Sequence, residues 1–85
     1  MYYVYILECG DGTLYTGITT DVGRRFKEHK LGKGAAYTKS RGTKRILYIE
    51  KYKNRSIASK HEAHIKSWDR LKKLDLISRK MTERE

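Results

Sequence analysis

Few side chains in this sequence have the type and spacing to do chemistry. Arg25 and His29 lie four positions apart, so on a helix they project from one face. There a planar guanidinium can fork onto an oxyanion beside an imidazole. Glu62 and Lys66 have the same spacing. As a bare i, i+4 pair they would stabilise a helix by about 0.2–0.5 kcal/mol. The carboxylate can hold a hard cation at the same time. Tyr5 and Tyr15 are ten positions apart and flank a glycine-containing turn. A phenol with its ordinary pKa near 10 is a poor base. It serves when a metal-bound water or a neighbouring base draws its proton away. Hydrolysis of a phosphodiester needs such a set: activated water, counter-charge for the transition state and help for the leaving oxygen.

Other reactive types carry less. The run His61-Glu62-Ala63-His64 sets its histidines three apart, whereas the zinc motif H-E-x-x-H needs four. His61 therefore reads as packed or phosphate-facing. Cys9, the single cysteine, stands at a strand end and reads as a small hydrophobe. One thiol cannot close an internal disulfide, so nothing points to an oxidising compartment.

Charge indicates the partner. The 85 residues hold 20 Lys and Arg against 10 Asp and Glu, a net charge of +10. Residues 1–21 contain no base, whereas residues 22–49 hold nine bases and one acid. A basic middle following an acidic start suits a polyanion, and nucleic acid is the common one. No apolar run is long enough to span a bilayer. The start Met-Tyr-Tyr-Val lacks the basic region and cleavage site of a signal peptide, so the expected compartment is the cytoplasm. The expected state is a monomer of one domain, residues 1–78, with a polar, frayed tail over 79–85.

The elements that must position these residues follow from pattern. Tyr2 to Glu8 is aromatic and β-branched, apolar on both faces, and reads as a central strand. Thr13 to Thr19 is its hairpin partner. A two-residue Asp11-Gly12 turn would put Tyr5 and Tyr15 on opposite faces. A three-residue loop, Gly10-Asp11-Gly12, sets Leu7 opposite Tyr15 and Tyr5 opposite Gly17 on one face. The missing side chain of Gly17 then leaves room for the Tyr5 ring. Asp21 caps a helix from Val22 to Leu31, with Val22 and Phe26 buried and Gly32 as its stop. Gly32 to Arg45 reads as a loop and Ile46 to Lys53 as a third strand. Ser56 caps a second helix with the stripe Ile57, His61, Ile65 and Trp68. Asp69 caps a third, with Leu71, Leu74 and Ile77 inward. The class is α+β: a three-stranded antiparallel sheet flanked by helices, in the order β-β-α-β-α-α.

Tyr3-Val4-Tyr5 and Tyr15-Thr16-Gly17 resemble the two signature tripeptides of the GIY-YIG nuclease family. Arg25 follows Gly17 by eight residues, His29 follows by one helical turn, and Glu62 opens Glu62-x-x-Ile65-Lys66. The segment Gly32-Lys33-Gly34-Ala35-Ala36-Tyr37-Thr38 looks like that of the small stand-alone bacterial branch. The first tripeptide departs from the pattern by starting with Tyr3 in place of Gly. The resemblance spans roughly residues 2–77 and implies a metal-dependent endonuclease, acting on DNA in repair or recombination. It implies Tyr15 as the base, Tyr5 hydrogen-bonded nearby, Arg25 on a phosphate oxygen, His29 beside it, and Glu62 holding one Mg²⁺ or Mn²⁺. The bases Lys33, Lys39, Arg41, Lys44, Arg45 and Lys66 are the expected phosphate contacts, and a protein partner that delivers substrate is compatible with the resemblance. The rival is a nucleic-acid-binding module that uses the same face without cutting.

Overall fold

A computed structural model describes residues 1–83. Strand β1 (Tyr2–Cys9) takes the middle of the sheet, in the order β2-β1-β3. Its run of apolar and aromatic residues suits a strand covered on both sides. Strands β2 (Leu14–Thr19) and β3 (Thr43–Tyr52) both pair antiparallel with it. The hairpin has the three-residue loop. The Cys9 N–H donates to Thr13 O at 2.8 Å, and Gly12 closes the turn at φ +85°. A left-handed residue there is the usual end of such a loop, and glycine adopts it without a Cβ clash.

Helix α1 (Val22–Lys30) starts at Asp21, whose Oδ1 accepts from the Arg24 N–H at 3.0 Å. Helix α3 (Arg55–Lys66) and helix α4 (Arg70–Glu83) follow β3. Asp69 caps α4 by accepting from the Lys72 N–H at 2.9 Å. Alternation along β1 then divides the molecule. Val4 and Ile6 turn to one face and meet Tyr48, Ala58, Ile65 and Ile77 in the apolar core. Tyr5 and Leu7 turn to the other.

Several expectations change. The glycine-interrupted segment is not all loop: Ala36–Arg41 form a short helix, α2, and β3 begins at Thr43 rather than Ile46. Helix α3 is capped by Asn54, whose Oδ1 accepts from the Ile57 N–H at 3.0 Å, and not by Ser56. The inward stripe of α3 accordingly runs through Ala58 and Ile65, and Ile57 is exposed. Ala58 is small enough to let the helix backbone close on the sheet. In α4, Leu71 is exposed at the open end of the helix, while Leu74 and Ile77 pack inward. The expected frayed segment from Arg79 continues α4 through Glu83, and Lys80 Nζ lies 2.6 Å from Glu50 Oε2. The last two residues of that tail lie outside the described ones.

Candidate active site

The hairpin register puts Tyr5 opposite Gly17 and Leu7 opposite Tyr15. Both tyrosines therefore share the face away from the apolar core. A Cβ on Gly17 would overlap the Tyr5 hydroxyl, so the ring occupies the space that glycine leaves. Arg25 and His29 reach the same face from α1. His29 is 2 % exposed, and its Nε2 lies 2.8 Å from Tyr5 Oη. Its Nδ1 lies 2.7 Å from Thr38 Oγ1 on α2.

The direction of this chain of bonds can be derived. The Thr38 hydroxyl donates its one proton to Ala35 O at 3.0 Å. Its oxygen must then accept from the His29 Nδ1–H. Burial lowers the His29 pKa, helped by the Arg25 charge and opposed by Glu28. The ring is therefore neutral, with Nε2 as acceptor, and the Tyr5 O–H donates to it. Burial pushes the Tyr5 phenol up to about 12, against the lowering effect of a hydrogen bond from Arg25. Tyr5 thus stays protonated. The short helix α2, unforeseen in the sequence, supplies the anchor that fixes the imidazole. Gly34 supplies the space, since a Cβ there would overlap the His29 ring.

Tyr15 differs from Tyr5. It is half-buried, and its ring lies 6.4 Å from Tyr5, 5.4 Å from His29 and 5.8 Å from Tyr37, centroid to centroid. Among the described residues no side chain hydrogen bonds its phenol. Tyr5, expected to be hydrogen-bonded nearby, bonds to His29. Glu62 lies on the inward stripe of α3 between Ala58 and Ile65, with its side chain 19 % exposed. It is close enough to Tyr5 for its charge to oppose ionisation of that phenol. Lys66 Nζ stands 3.8 Å from Glu62 Oε2 and 5.9 Å from the Tyr15 ring centroid. Five residues from β1, β2, α1 and α3 therefore gather at one place. It combines a protonated phenol, a free phenol, a neutral imidazole, a guanidinium and a half-buried carboxylate.

A family model described as the GIY-YIG catalytic domain matches residues 1–75. The chain belongs to the GIY-YIG family. It is 47% identical over 81 residues to a UPF0213 protein of Streptococcus agalactiae, covering 95% of this chain and 92% of the relative. It is 49% identical over 75 residues to one from Haloquadratum walsbyi, covering 88% and 84%. The solution NMR structure of the UPF0213 protein from Bacillus halodurans is similar, at 48% identity and a TM-score of 0.59. That match covers 92% of this chain and 84% of the other.

Around this GIY-YIG site the expected phosphate contacts are not equivalent. Arg41 Nε lies 3.3 Å from Asp11 Oδ2, and Arg45 Nε lies 2.6 Å from Glu8 Oε1. Arg45 holds the Glu8 carboxyl below its ordinary range. Lys33, Lys39 and Lys44 are exposed, with no ion pair among the described residues. A feature that the spacing did not reveal is a cleft of about 470 Å³ beside Arg25. Tyr2, Ile18, Thr19, Thr20, Arg24, Glu28 and Arg55 complete its lining. Arg25 donates to Glu28 Oε1 there at 3.0 Å. Arg55 comes from the start of α3, far along the chain, so only the fold unites it with Arg24. His61 stacks on Tyr52, with centroids 4.6 Å apart, as an exposed ring. Among the described residues no three His, Cys, Asp or Glu side chains are grouped to hold a metal.

Proposed function

We propose that this GIY-YIG domain is a divalent-metal-dependent endonuclease that hydrolyses phosphodiester bonds in DNA. One observation carries the reading: two phenols on one face have been given opposite states. Tyr5 is buried, protonated and committed to His29. Tyr15 is half-exposed with its hydroxyl uncommitted. A fixed donor beside a free acceptor is the division of labour that general acid–base chemistry uses.

In this reading Tyr15 Oη, once its own proton has passed to solvent, takes the proton of the attacking water. Arg25 places its guanidinium fork on a non-bridging oxygen of the scissile phosphate, where negative charge builds up. Glu28 aims that fork by accepting from Nη1. The chain from Tyr5 through His29 to Thr38 holds the imidazole neutral and the Tyr5 ring still. Preorganised dipoles need no reorientation as charge develops. The donor set suits a cation that keeps its water shell. Glu62 is a single half-buried carboxylate, and its only ion pair among the described residues is the long one to Lys66. Mg²⁺ or Mn²⁺ needs few protein ligands, whereas a zinc site needs three or four. When bound at Glu62, such an ion supplies Lewis-acid stabilisation of phosphate charge. The cleft at Arg24 and Arg55 and the exposed Lys33, Lys39 and Lys44 would grip backbone phosphates without reading bases. Repair or recombination is the role such an enzyme would serve.

The test is cleavage of supercoiled plasmid and branched oligonucleotides with Mg²⁺, with Mn²⁺ and with EDTA. Metal-dependent nicking by the wild type, lost in Glu62→Ala while DNA binding is equal or tighter, is the expected result. Binding tightens because a negative charge near phosphate is removed. Normal cleavage by Glu62→Ala removes the metal assignment. DNA binding without cleavage under any metal makes the domain a binding module.

A further inference from the structure

A second recess lies at the start of β2, at the opposite end of that strand from the arginine cleft. It measures about 210 Å³ and is lined by Thr13, Leu14, Tyr37, Arg70 and Lys73. Ligand pockets for whole small molecules run to roughly 300–1,000 Å³, so this one suits a fragment such as one planar ring system. Its wall is an exposed tyrosine held in place. The Arg41 guanidinium stacks on the Tyr37 ring, with Cζ 3.8 Å from the centroid, and Arg41 is itself tied to Asp11. Tyr37 is 36% exposed, although its ring reaches within 5.8 Å of Tyr15. An aromatic pinned from one side and left open to solvent is a ready stacking surface.

Among the described residues the cations of the recess have no acidic partner in ion-pair distance. Lys73 is half-buried, and among the described residues it has no carboxylate in ion-pair distance. Burial and the Lys66 charge lower its pKa, as expected where a counter-charge is wanting. Arg70, one turn before it on α4, spends one N–H on Gly12 O at 2.6 Å. That bond fixes the guanidinium over the hairpin turn and leaves its other donors free. An apolar wall, a stacking ring and two cations without acids complement a nucleotide: base against Tyr37 and Leu14, phosphate against Arg70 and Lys73.

We infer that this recess takes one unpaired nucleotide of the substrate strand, adjacent to the phosphate held at Tyr15 and Arg25. The inference rests on the nuclease reading and names its substrate class, nucleic acid with a splayed base beside the cut. A base inside a duplex has both faces stacked and cannot enter, so fully paired DNA forfeits this contact.

The experiment measures binding in EDTA, which separates it from cleavage. Two duplexes are compared, identical except that one carries a single unpaired 2-aminopurine. The wild type should prefer the unpaired duplex by about tenfold, the ratio that one base–aromatic stack supplies, and should quench the aminopurine. Tyr37→Ala and Lys73→Met should each bring the preference toward one, and Tyr37→Phe should retain it. The phenylalanine variant shows that an intact fold with a ring suffices. Equal affinity for both duplexes in the wild type overturns the inference, as does a preference that survives both Tyr37→Ala and Lys73→Met. Failure of the nuclease reading would look different: no substrate is cut with any metal, while the aminopurine signal stands.

Discussion

Alternate residues of β1 serve two different interiors. Val4 and Ile6 enter a core with Tyr48, Ala58, Ile65 and Ile77, where the only requirement is filled apolar volume. Tyr5, between them, enters a layer under α1 and α2 that is equally buried and sets a polar network beside Leu7 and Cys9. There His29 and Thr38 are 2 % and 1% exposed, and each hydrogen bond fixes the next. The apolar face should tolerate changes of shape at a cost in stability alone. The polar face should tolerate little, because an unpaired buried donor or acceptor costs more than its bond contributes. One face holds the molecule together, and the other holds a proton arrangement. Since both draw on the same strand, the site inherits rigidity from the core on the other face.

The largest effect expected on this contrast comes from Ile6→Ala. It should destabilise by about 2–5 kcal/mol, as core truncations do, measured by urea unfolding. Per folded molecule, cleavage should change little. A loss of cleavage beyond the unfolded fraction would mean that the faces are not separable. Tyr15→Phe is the converse change. It keeps the ring packed against His29 and Tyr37 but removes the proposed proton acceptor. Folding should survive and the single-turnover rate should fall by about 10²-fold or more. A wild-type rate would assign water activation to another group.

A smaller effect is pH-dependent and belongs to the polar face. The unfolded chain binds a proton at His29 near its ordinary value of about 6.5. The folded state resists protonation until lower pH, because burial disfavours the imidazolium. Between those points the unfolded state holds more protons, so stability falls as pH falls through the window and then levels off. His29→Gln should remove this contribution. Its urea midpoint should vary less than the wild-type midpoint between pH 7 and pH 5, with the gap narrowing on acidification. Parallel curves would show that His29 is not held neutral. The smallest effect tests a polar atom on the apolar face. Thr16 Oγ1 is buried with no hydrogen-bond partner among the described residues, in register with Ile6. Thr16→Val should stabilise by about 1 kcal/mol, the penalty of one orphaned hydroxyl. A thermal midpoint that falls instead would place a bound water there.

Much of this was fixed by local chemistry and was readable from the chain. The side-chain period of two, joined to the odd loop Gly10-Asp11-Gly12, determined that Tyr5 and Tyr15 share a face and that Gly17 stands beneath the Tyr5 ring. Short-range capping by Asp21 and Asp69 placed the starts of α1 and α4, and the spacing of Arg25 and His29 put both on one helix face. Tertiary structure decided the rest, because it depended on contacts between residues distant in sequence. No periodicity marks α2, a helix of one and a half turns that owes its existence to packing and to the Thr38 bond with His29. Nothing local distinguishes Tyr5 from Tyr15. Both are strand tyrosines, and only the elements above them make one a locked donor and leave the other free. The basic residues likewise looked alike until the fold paired Arg41 with Asp11 and Arg45 with Glu8. It left Lys73 half-buried without an acid among the described residues, since charge partners are chosen by distance in space.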